Sequence, residues 1–300
     1  MSEFPNKRTP AFSIIIPTYK RIAELKTCLE ALSNQSADKD HFEIIVVNDG
    51  GDRIIVEDVE AFKDRLSIRY LFLKHRGPAG ARNHALAIAR GDIVIFLDDD
   101  SVPKKGWLDA TQSAWKQSPD VDGIGGYIRY DPTDNIYCKT NAHFVNWYLK
   151  QHSSEQNCTF LITCNAGFKK KILEKVQGFA ECFESAAGED RDLNIRILQM
   201  GARLRLDKNI TVYHNRDLSF TGFIRKHMNY GKVARKLHTK YAEAERLSFQ
   251  NYLDFFRSIL NGHKSSGEKC LIAFLFAVSQ LFTAFGYLEA MFTKRHRKMR

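Results

Sequence analysis

Three consecutive carboxylates, Asp98, Asp99 and Asp100, follow a run of five apolar residues at 93–97. Adjacent negative charges repel one another and raise each other's pKa, so such a cluster is costly unless a cation shares it. Carboxylate oxygens suit Mg²⁺ and Mn²⁺, and Mg²⁺ is often shared with substrate phosphates. A solvated acidic turn is the alternative. Because residues that follow a buried strand of an α/β sheet lie at its ligand-binding edge, we expect a divalent-metal site there.

Two later segments carry groups that could act with these acids. Gly188 precedes Glu189 and Asp190 at the predicted start of a helix, where the helix dipole stabilises an ionised carboxylate. Either acid could be a general base if burial offset that stabilisation, and a simple helix cap is the alternative. His214 follows a strand-like run, and its imidazole could bind Mn²⁺. On its own, a histidine at the end of a strand is more often structural.

The glycines of the chain form no common nucleotide-binding fingerprint. The first predicted strand ends in Pro17, Thr18 and Tyr19 rather than in GxGxxG, and the sequence contains no GxxxxGK[ST]. Residues 77–82 (Gly-Pro-Ala-Gly-Ala-Arg) begin a predicted helix, whose N–H groups could bind a phosphate together with Arg82. An ordinary capped helix explains the same residues.

The elements that must position these groups alternate between strand and helix. Apolar, β-branched runs at 12–17, 42–47, 68–73 and 92–97 predict buried strands, with helical spacing between them. This order predicts a largely parallel sheet with helices on both faces. The carboxyl ends of its strands share one edge, where open α/β sheets bind ligands.

Beyond residue 103 the pattern changes. We expect strands at 123–130, 160–164, 203–206 and 210–213, helices at 107–115 and 190–200, and mainly helix after about 218. Residues 134–158 are aromatic and polar, and their apolar residues fit neither the helical nor the strand periodicity.

Composition limits the class of protein. The chain has 300 residues, 44% hydrophobic and 27% charged, so it can bury a core. The six cysteines form no CxxC pair, which favours a reducing compartment over a disulfide framework or a zinc site. Residues 1–10 contain no apolar segment, so we expect no signal peptide.

The net charge of +10 lies in residues 221–300, with 15 Lys/Arg and 5 Asp/Glu, and no nucleic-acid-binding module accompanies it.

Together the motifs resemble the family 2 glycosyltransferases, which have the GT-A fold. The resemblance covers residues 11–215. It rests on residues 13–21 (Ser-Ile-Ile-Ile-Pro-Thr-Tyr-Lys-Arg), 43–50 (Glu-Ile-Ile-Val-Val-Asn-Asp-Gly), 77–83 (Gly-Pro-Ala-Gly-Ala-Arg-Asn), 96–103 (Phe-Leu-Asp-Asp-Asp-Ser-Val-Pro), 164–168 (Cys-Asn-Ala-Gly-Phe) and 188–190 (Gly-Glu-Asp). The implied fold is α/β: a three-layer αβα sandwich with a mixed, largely parallel, Rossmann-like sheet, followed by C-terminal helices.

The resemblance also implies roles for single residues. Asp190 would be the catalytic base, with Glu189 as second choice. Asp98, Asp100 and His214 would hold the metal. The donor would be bound by a larger set, in which Tyr19 and Asp49 hold base and ribose and an arginine neutralises the diphosphate. That set is Pro17, Thr18, Tyr19, Arg21, Asp49, Arg76, Arg82, Asp98 and Asp99.

The implied reaction is an inverting displacement on a nucleoside-diphosphate sugar. We expect a UDP-sugar as donor, Mn²⁺ or Mg²⁺ as cofactor, and as acceptor a glycan or lipid-linked glycan in cell-envelope polysaccharide synthesis. Processive members of the family carry a QxxRW motif after this region. Residues 223–230 contain none, so we expect transfer of a single sugar.

Two other interpretations stay open at this point. The segment at 98–102 also fits the DxDxV motif of haloacid-dehalogenase-type phosphatases, although three predicted strands precede it. The chain could also be a catalytically silent, membrane-bound scaffold of the same fold.

The C-terminal part indicates contact with a membrane. Residues 271–288 form an uncharged stretch whose length is at the lower limit for a membrane-spanning helix. The tail at 293–300 is strongly basic. We expect a helix that lies in the membrane interface, with its basic tail on anionic lipid. A helix packed on the protein's own core is the alternative. We therefore divide the chain into a GT-A domain (1–217), a basic helical extension (218–262) and a membrane-associating helix with its tail (263–300), located on the cytoplasmic face of the membrane.

Overall fold

Short runs of β-branched and aromatic residues form the first strands because such side chains can be buried on both faces of a sheet. The structure, a computed structural model, describes residues 10–36, 41–51, 55–129, 135–153, 158–183, 188–214, 218–241, 248–261 and 265–297. Its strands are β1 (Phe12–Thr18), β2 (Phe42–Asp49), β3 (Ile68–Leu73), β4 (Ile93–Leu97), β5 (Ser101–Pro103), β6 (Gly123–Arg129), β7 (Asn165–Lys169) and β8 (Leu204–His214). The four strands predicted in the first hundred residues are confirmed.

The helices follow the predicted alternation. They are α1 (Ile22–Ser33), α2 (Ile55–Glu60), α3 (Gly77–Ile88), α4 (Trp107–Gln117), α5 (Ile136–Gln151), α6 (Lys170–Lys175), α7 (Glu189–Gln199), α8 (Phe220–Lys240), α9 (Phe249–Leu260) and α10 (Ser266–Arg297). The α5 helix occupies most of the segment 134–158, whose sequence fitted neither the helical nor the strand periodicity.

The strands form one mixed sheet in the order β3-β2-β1-β4-β7-β6-β8-β5. Neighbours among β1 to β4 are parallel, β7 is antiparallel to both β4 and β6, and β8 is parallel to β6. It follows that β8 runs in the same direction as β4. The carboxyl ends of β1, β2, β3, β4 and β8 therefore lie along one edge of the sheet.

One face of this sheet packs against α3, α6 and α7. Its core includes Ile15 and Phe96 from the strands, Ala81 from α3, Leu173 from α6 and Leu193 from α7. The small alanines of α3 allow that helix to approach the sheet closely, because they fill less space than larger apolar side chains. The carboxyl ends of the strands are thereby held in a rigid layer.

The strand predicted at 160–164 is wrong. Residues 159–162 form no regular element, and the strand of this region is β7, which begins at Asn165. Asn194 of α7 explains the difference: its side chain accepts the N–H of Leu161 at 3.0 Å and donates to the Leu161 carbonyl at 2.9 Å. The backbone groups that a strand would pair are satisfied by a side chain instead.

The two short strands predicted at 203–206 and 210–213 belong to one element, β8. Its pairing with β6 shifts register between Leu206, which faces Gly125, and Thr211, which faces Tyr127. The turn-like residues between them remain within the strand because Asp207 accepts the N–H of Asn209 at 2.9 Å.

The chain divides into two compact units, one formed by residues 1–129 and 152–215 and the other by 130–151 and 216–300. The first contains the sheet. The second, which groups residues 130–151 with the C-terminal helices rather than with the sheet, contains α5, α8, α9 and α10. All six cysteines of the chain are free thiols.

Within the second unit, α8 and α10 cross at two glycines. A Cβ on Gly231 would overlap the carbonyl oxygen of Thr283, and a Cβ on Gly286 would overlap that of Met228. The two backbones are therefore in direct contact. Aromatic side chains join the other helices, with the rings of Phe255 on α9 and Phe276 on α10 only 3.8 Å apart.

The α10 helix is long and apolar enough, by length and composition alone, to cross a membrane over Ser266–Phe292, and 28% of its most apolar stretch is buried. Large apolar side chains are exposed along it at Leu271, Phe274, Leu281, Phe285, Leu288 and Phe292. The side chains of the predicted basic tail at 293–300 lie outside the described residues.

Candidate active site

The shared edge of the sheet brings together side chains from five strands or the loops that follow them. Three of the predicted site residues there, Asp98, Asp100 and His214, could hold a metal ion, since one ligand atom of each lies within 4.8 Å of the others. The register of the sheet causes this proximity, because Ser101 of β5 pairs directly with His214 of β8. A residue 114 positions away in sequence is thus placed beside Asp100.

Asp100 has the surroundings of a cation ligand. It is 2% exposed, its Oδ2 accepts from Arg21 at 2.9 Å, and His214 Nε2 lies 3.3 Å from Oδ1. That Oδ1 is buried and accepts no hydrogen bond. A buried carboxylate oxygen needs compensation, and two carboxylates with an imidazole form a donor set suited to Mn²⁺ or Mg²⁺. The residues therefore fit the expected ion.

Asp99 is not one of the three clustered ligands. Its Oδ2 accepts from Thr18 at 2.8 Å and its Oδ1 from Arg21 at 2.9 Å. Burial raises the pKa of Asp99 to about 7; Arg21 opposes the rise and the neighbouring Asp100 adds to it. The three consecutive acids thus divide into two candidate metal ligands and one that holds the loop after β1. That loop begins after Pro17 and Thr18, which belong to β1.

At the end of β2, Asp49 is held by the loop that follows β3. Its Oδ1 accepts the backbone N–H of Arg76 at 2.7 Å, and its Oδ2 lies 2.9 Å from His75 Nδ1. The ring of Tyr19 packs against that of His75 in a tilted arrangement, with centroids 4.6 Å apart. Tyr19 and Asp49, predicted together for base and ribose, are therefore linked through His75.

Sequence reasoning missed His75 as a site residue. The only available signal was its place directly after the third strand, since a single exposed histidine has no motif of its own. It also missed Glu181, which accepts from the exposed Arg76 at 2.9 Å.

Arg82 is buried between two acids. Its Nη2 donates to Asp98 at 2.8 Å and its Nη1 to Glu189 at 3.0 Å, while its guanidinium lies over the ring of Phe179. Burial lowers the pKa of Arg82, but Asp98 and Glu189 outweigh it and leave the group fully charged. Both Nη atoms of Arg82, which the resemblance assigned to the donor, thus donate to carboxylates of the protein itself.

The α7 helix begins with the two candidate bases. Glu189 is 4% exposed, and burial followed by the charge of Asp190 raises its pKa to about 7. Asp190 is partly exposed, and its Oδ1 accepts the backbone N–H of Arg191 at 2.8 Å. Burial also raises the pKa of Asp190, with a further rise caused by Asp98. Of the two acids, Asp190 is the more exposed.

Known proteins resemble this chain in sequence and in fold. The sequence model of the family described as Glycosyl transferase family 2 matches residues 13–177, more than half of the chain. This chain belongs to that family. Membership of this family contradicts the phosphatase interpretation, which would place the chain in a different family.

Several curated proteins are similar in sequence. Validoxylamine A glucosyltransferase from Streptomyces hygroscopicus subsp. jinggangensis is 36% identical over 288 residues, covering 81% of this chain and 68% of that protein. Hyaluronan synthase from Pasteurella multocida is 29% identical over 245 residues, covering 70% of this chain and 25% of that protein. The chain spans only 25% to 56% of the length of several such relatives.

Solved structures show the same fold. The mannosyltransferase PcManGT from Pyrobaculum calidifontis, in complex with GDP-Man and Mn²⁺, superposes with a TM-score of 0.62 at 19% identity, covering 95% of this chain and 86% of that one. TarS residues 1–349 from S. aureus, in complex with UDP-GlcNAc, gives a TM-score of 0.57 at 18% identity, covering 87% and 70%. The predicted GT-A fold, with its mixed, mostly parallel sheet and flanking helices, is confirmed.

Proposed function

We propose that this glycosyltransferase moves a single sugar, with inversion, from a nucleoside-diphosphate sugar to a hydroxyl acceptor, and that it requires a divalent cation. The observation that carries the proposal is the junction at Arg82. It joins Asp98 of the candidate metal cluster to Glu189, the residue before the candidate base Asp190. Groups for the leaving diphosphate and for the attacking hydroxyl therefore lie in one site.

Asp98, Asp100 and His214 would hold Mn²⁺ or Mg²⁺. When bound, such an ion would supply positive charge for the diphosphate that leaves the sugar. The mannosyltransferase of similar fold binds Mn²⁺ with GDP-Man, and TarS binds UDP-GlcNAc, which supports a nucleotide-sugar donor. We propose a UDP-sugar as the donor.

Asp190 would accept the proton of the attacking hydroxyl. A general base works best when its pKa approaches the working pH, and the raised pKa of Asp190 moves it in that direction. Glu189 is less suited to the task because its Oε1 is already bound by Arg82.

The nucleoside would lie against the loops after β1, β2 and β3. The exposed ring of Tyr19 offers a stacking surface, and Asp49 offers carboxylate oxygens held in place by the backbone of Arg76. Thr18 and Arg21 would fix the loop through Asp99.

We also propose that α10 rests on an anionic membrane surface and that the acceptor is a glycan or lipid-linked glycan of the cell envelope. The exposed residues Leu271, Phe274, Leu281, Phe285 and Leu288 recur at spacings of three, four and seven, so they form one apolar stripe along the helix. The opposite side, which includes Ile272 and Phe276, is buried in the protein. A helix with one exposed apolar face lies in the membrane interface rather than across it, which is consistent with a cytoplasmic enzyme bound to the inner face.

A donor screen tests the proposed reaction. Release of nucleoside diphosphate is measured for UDP- and GDP-sugars in Mn²⁺ with the wild type, with Asp100→Ala and with Asp120→Asn, an exposed aspartate paired with Arg203. We expect Asp100→Ala to lower release at least about 1,000-fold, since the bound ion would lose a ligand, and Asp120→Asn to match the wild type. Release that survives Asp100→Ala or chelation would refute the metal assignment.

A further inference from the structure

Arg82 is the only arginine, among the residues that the structure describes, whose Nη atoms bind two carboxylates from separate elements while it is 3% exposed. One partner, Asp98, follows β4, and the other, Glu189, is the first residue of α7. A guanidinium can serve both because its planar fork presents donors in fixed directions. One side chain therefore bridges the end of β4 and the start of α7.

The arginine is itself held by its neighbours. Its guanidinium lies 5.4 Å from the ring centroid of Phe179, and that ring meets Phe96 of the core edge to face at 4.9 Å. Asn83, the next residue of α3, accepts the N–H of Phe179 at 2.8 Å and donates to its carbonyl at 2.9 Å. Gly178 is needed beside it, since a Cβ there would overlap Asn83 Oδ1. These contacts leave Arg82 little freedom to turn toward a ligand.

We propose that Arg82 is a positioning residue that fixes Asp98 and the amino end of α7 relative to each other, and that it does not bind the donor diphosphate. The inference rests on the proposed function, in which Asp98 serves the metal and Asp190 the acceptor. It assigns catalytic alignment to Arg82 and leaves neutralisation of the diphosphate to the ion and to other groups.

A double-mutant cycle in the full-length protein tests the proposal. Arg82→Lys keeps the charge but cannot fork between two carboxylates, and Glu189→Ala removes one of those partners. We expect each to lower kcat about 100-fold, the loss typical of a catalytic group displaced by about 1 Å. Because both changes break the same link, the double variant should lose about 100-fold as well, rather than about 10,000-fold.

Binding provides a readout that does not depend on turnover. The affinity for UDP or GDP in Mn²⁺, whichever the wild type binds, is measured by isothermal titration calorimetry. We expect Arg82→Lys to change the Kd less than about fivefold, because Arg82 makes no contact with the diphosphate. Arg65→Gln, which breaks an exposed ion pair with Glu30, is the charge control and should match the wild type in both assays.

The outcomes separate this proposal from the proposed function. Multiplicative losses in kcat, or a Kd for the nucleoside diphosphate more than tenfold weaker in Arg82→Lys, would overturn the role of Arg82 alone. A loss in Glu189→Ala as complete as in Asp190→Asn would make Glu189 the base and would also overturn it. A wild type that releases nucleoside diphosphate from no donor would overturn the proposed function, and this inference with it.

Discussion

Asn83 has a structural role whose size can be worked out from its contacts. Its side chain donates to the Phe179 carbonyl and to Glu181, and it accepts the N–H of Phe179. Phe179 is 3% exposed, so its backbone groups would have few other partners. Net contributions of about 1 kcal/mol for each bond to Phe179, and less for the exposed bond to Glu181, predict that Asn83→Ala lowers the free energy of unfolding by about 2–3 kcal/mol.

The measurement must report on the unit that contains the sheet. Trp107 and Trp115 belong to that unit, and Trp147 belongs to the other. In a Trp147→Phe background, tryptophan fluorescence during urea unfolding therefore follows the first unit alone. The midpoint should fall while the slope with urea stays constant.

Asn34→Ala is the matched control, since the Asn34 side chain makes one exposed contact with Glu30 at 3.5 Å. It should change the free energy of unfolding by less than about 0.5 kcal/mol. If Asn83→Ala cost no more than this control, the account of Asn83 as the support of Phe179 would be refuted.

Three further predictions concern other parts of the chain. Gly231→Leu should destabilise the second unit by at least about 2 kcal/mol, because its side chain would separate α8 from α10. Gly267→Ala is the control and should be neutral or stabilising, since nothing lies within 4 Å of a Cβ at that position. Equal urea midpoints for the two variants would contradict this prediction. Burial raises the pKa of Glu189 from 4.5 to about 7, so the folded state retains a proton in that window and the free energy of unfolding should fall as pH rises through it. Glu189→Gln should flatten that fall, and an unchanged profile between pH 4.5 and 7 would count against the assignment. Finally, the double variant Phe274→Ser, Phe285→Ser should reduce sedimentation with anionic phospholipid vesicles at least about tenfold. Met200 is exposed in the first unit, and Met200→Ser should leave sedimentation unchanged. Undiminished sedimentation of the double variant would exclude the proposed membrane surface.

The first four strands could be predicted because the composition of each segment is compatible with only one kind of secondary structure. A continuous apolar run such as residues 44–47 of β2, buried at every position, is typical of a strand inside a sheet. The position of Asp98 and Asp100 followed from that, since residues after parallel strands meet at one edge. Family motifs then supplied roles that side-chain type alone could not.

Other features depend on partners far away in sequence. Residues 160–164 have the composition of a strand, but Asn194 binds the backbone of Leu161. Nothing in the sequence near residue 161 indicates this contact. The same limit applies to Arg82, because nothing in its motif indicates that its side chain binds Asp98 and Glu189. Local composition cannot distinguish these outcomes because the deciding contacts form only on folding.

The pairing of Ser101 with His214 has a consequence for tolerance to insertions. Since side chains alternate along a strand, adding one residue between Thr211 and His214 would turn the imidazole to the opposite face of the sheet and remove it from Asp100. The stretch from Asp207 to Ile210 is different, because ladder contacts with β6 stop at Leu206 and resume at Thr211. Extra length there would be absorbed as a wider bulge, leaving the histidine where it is.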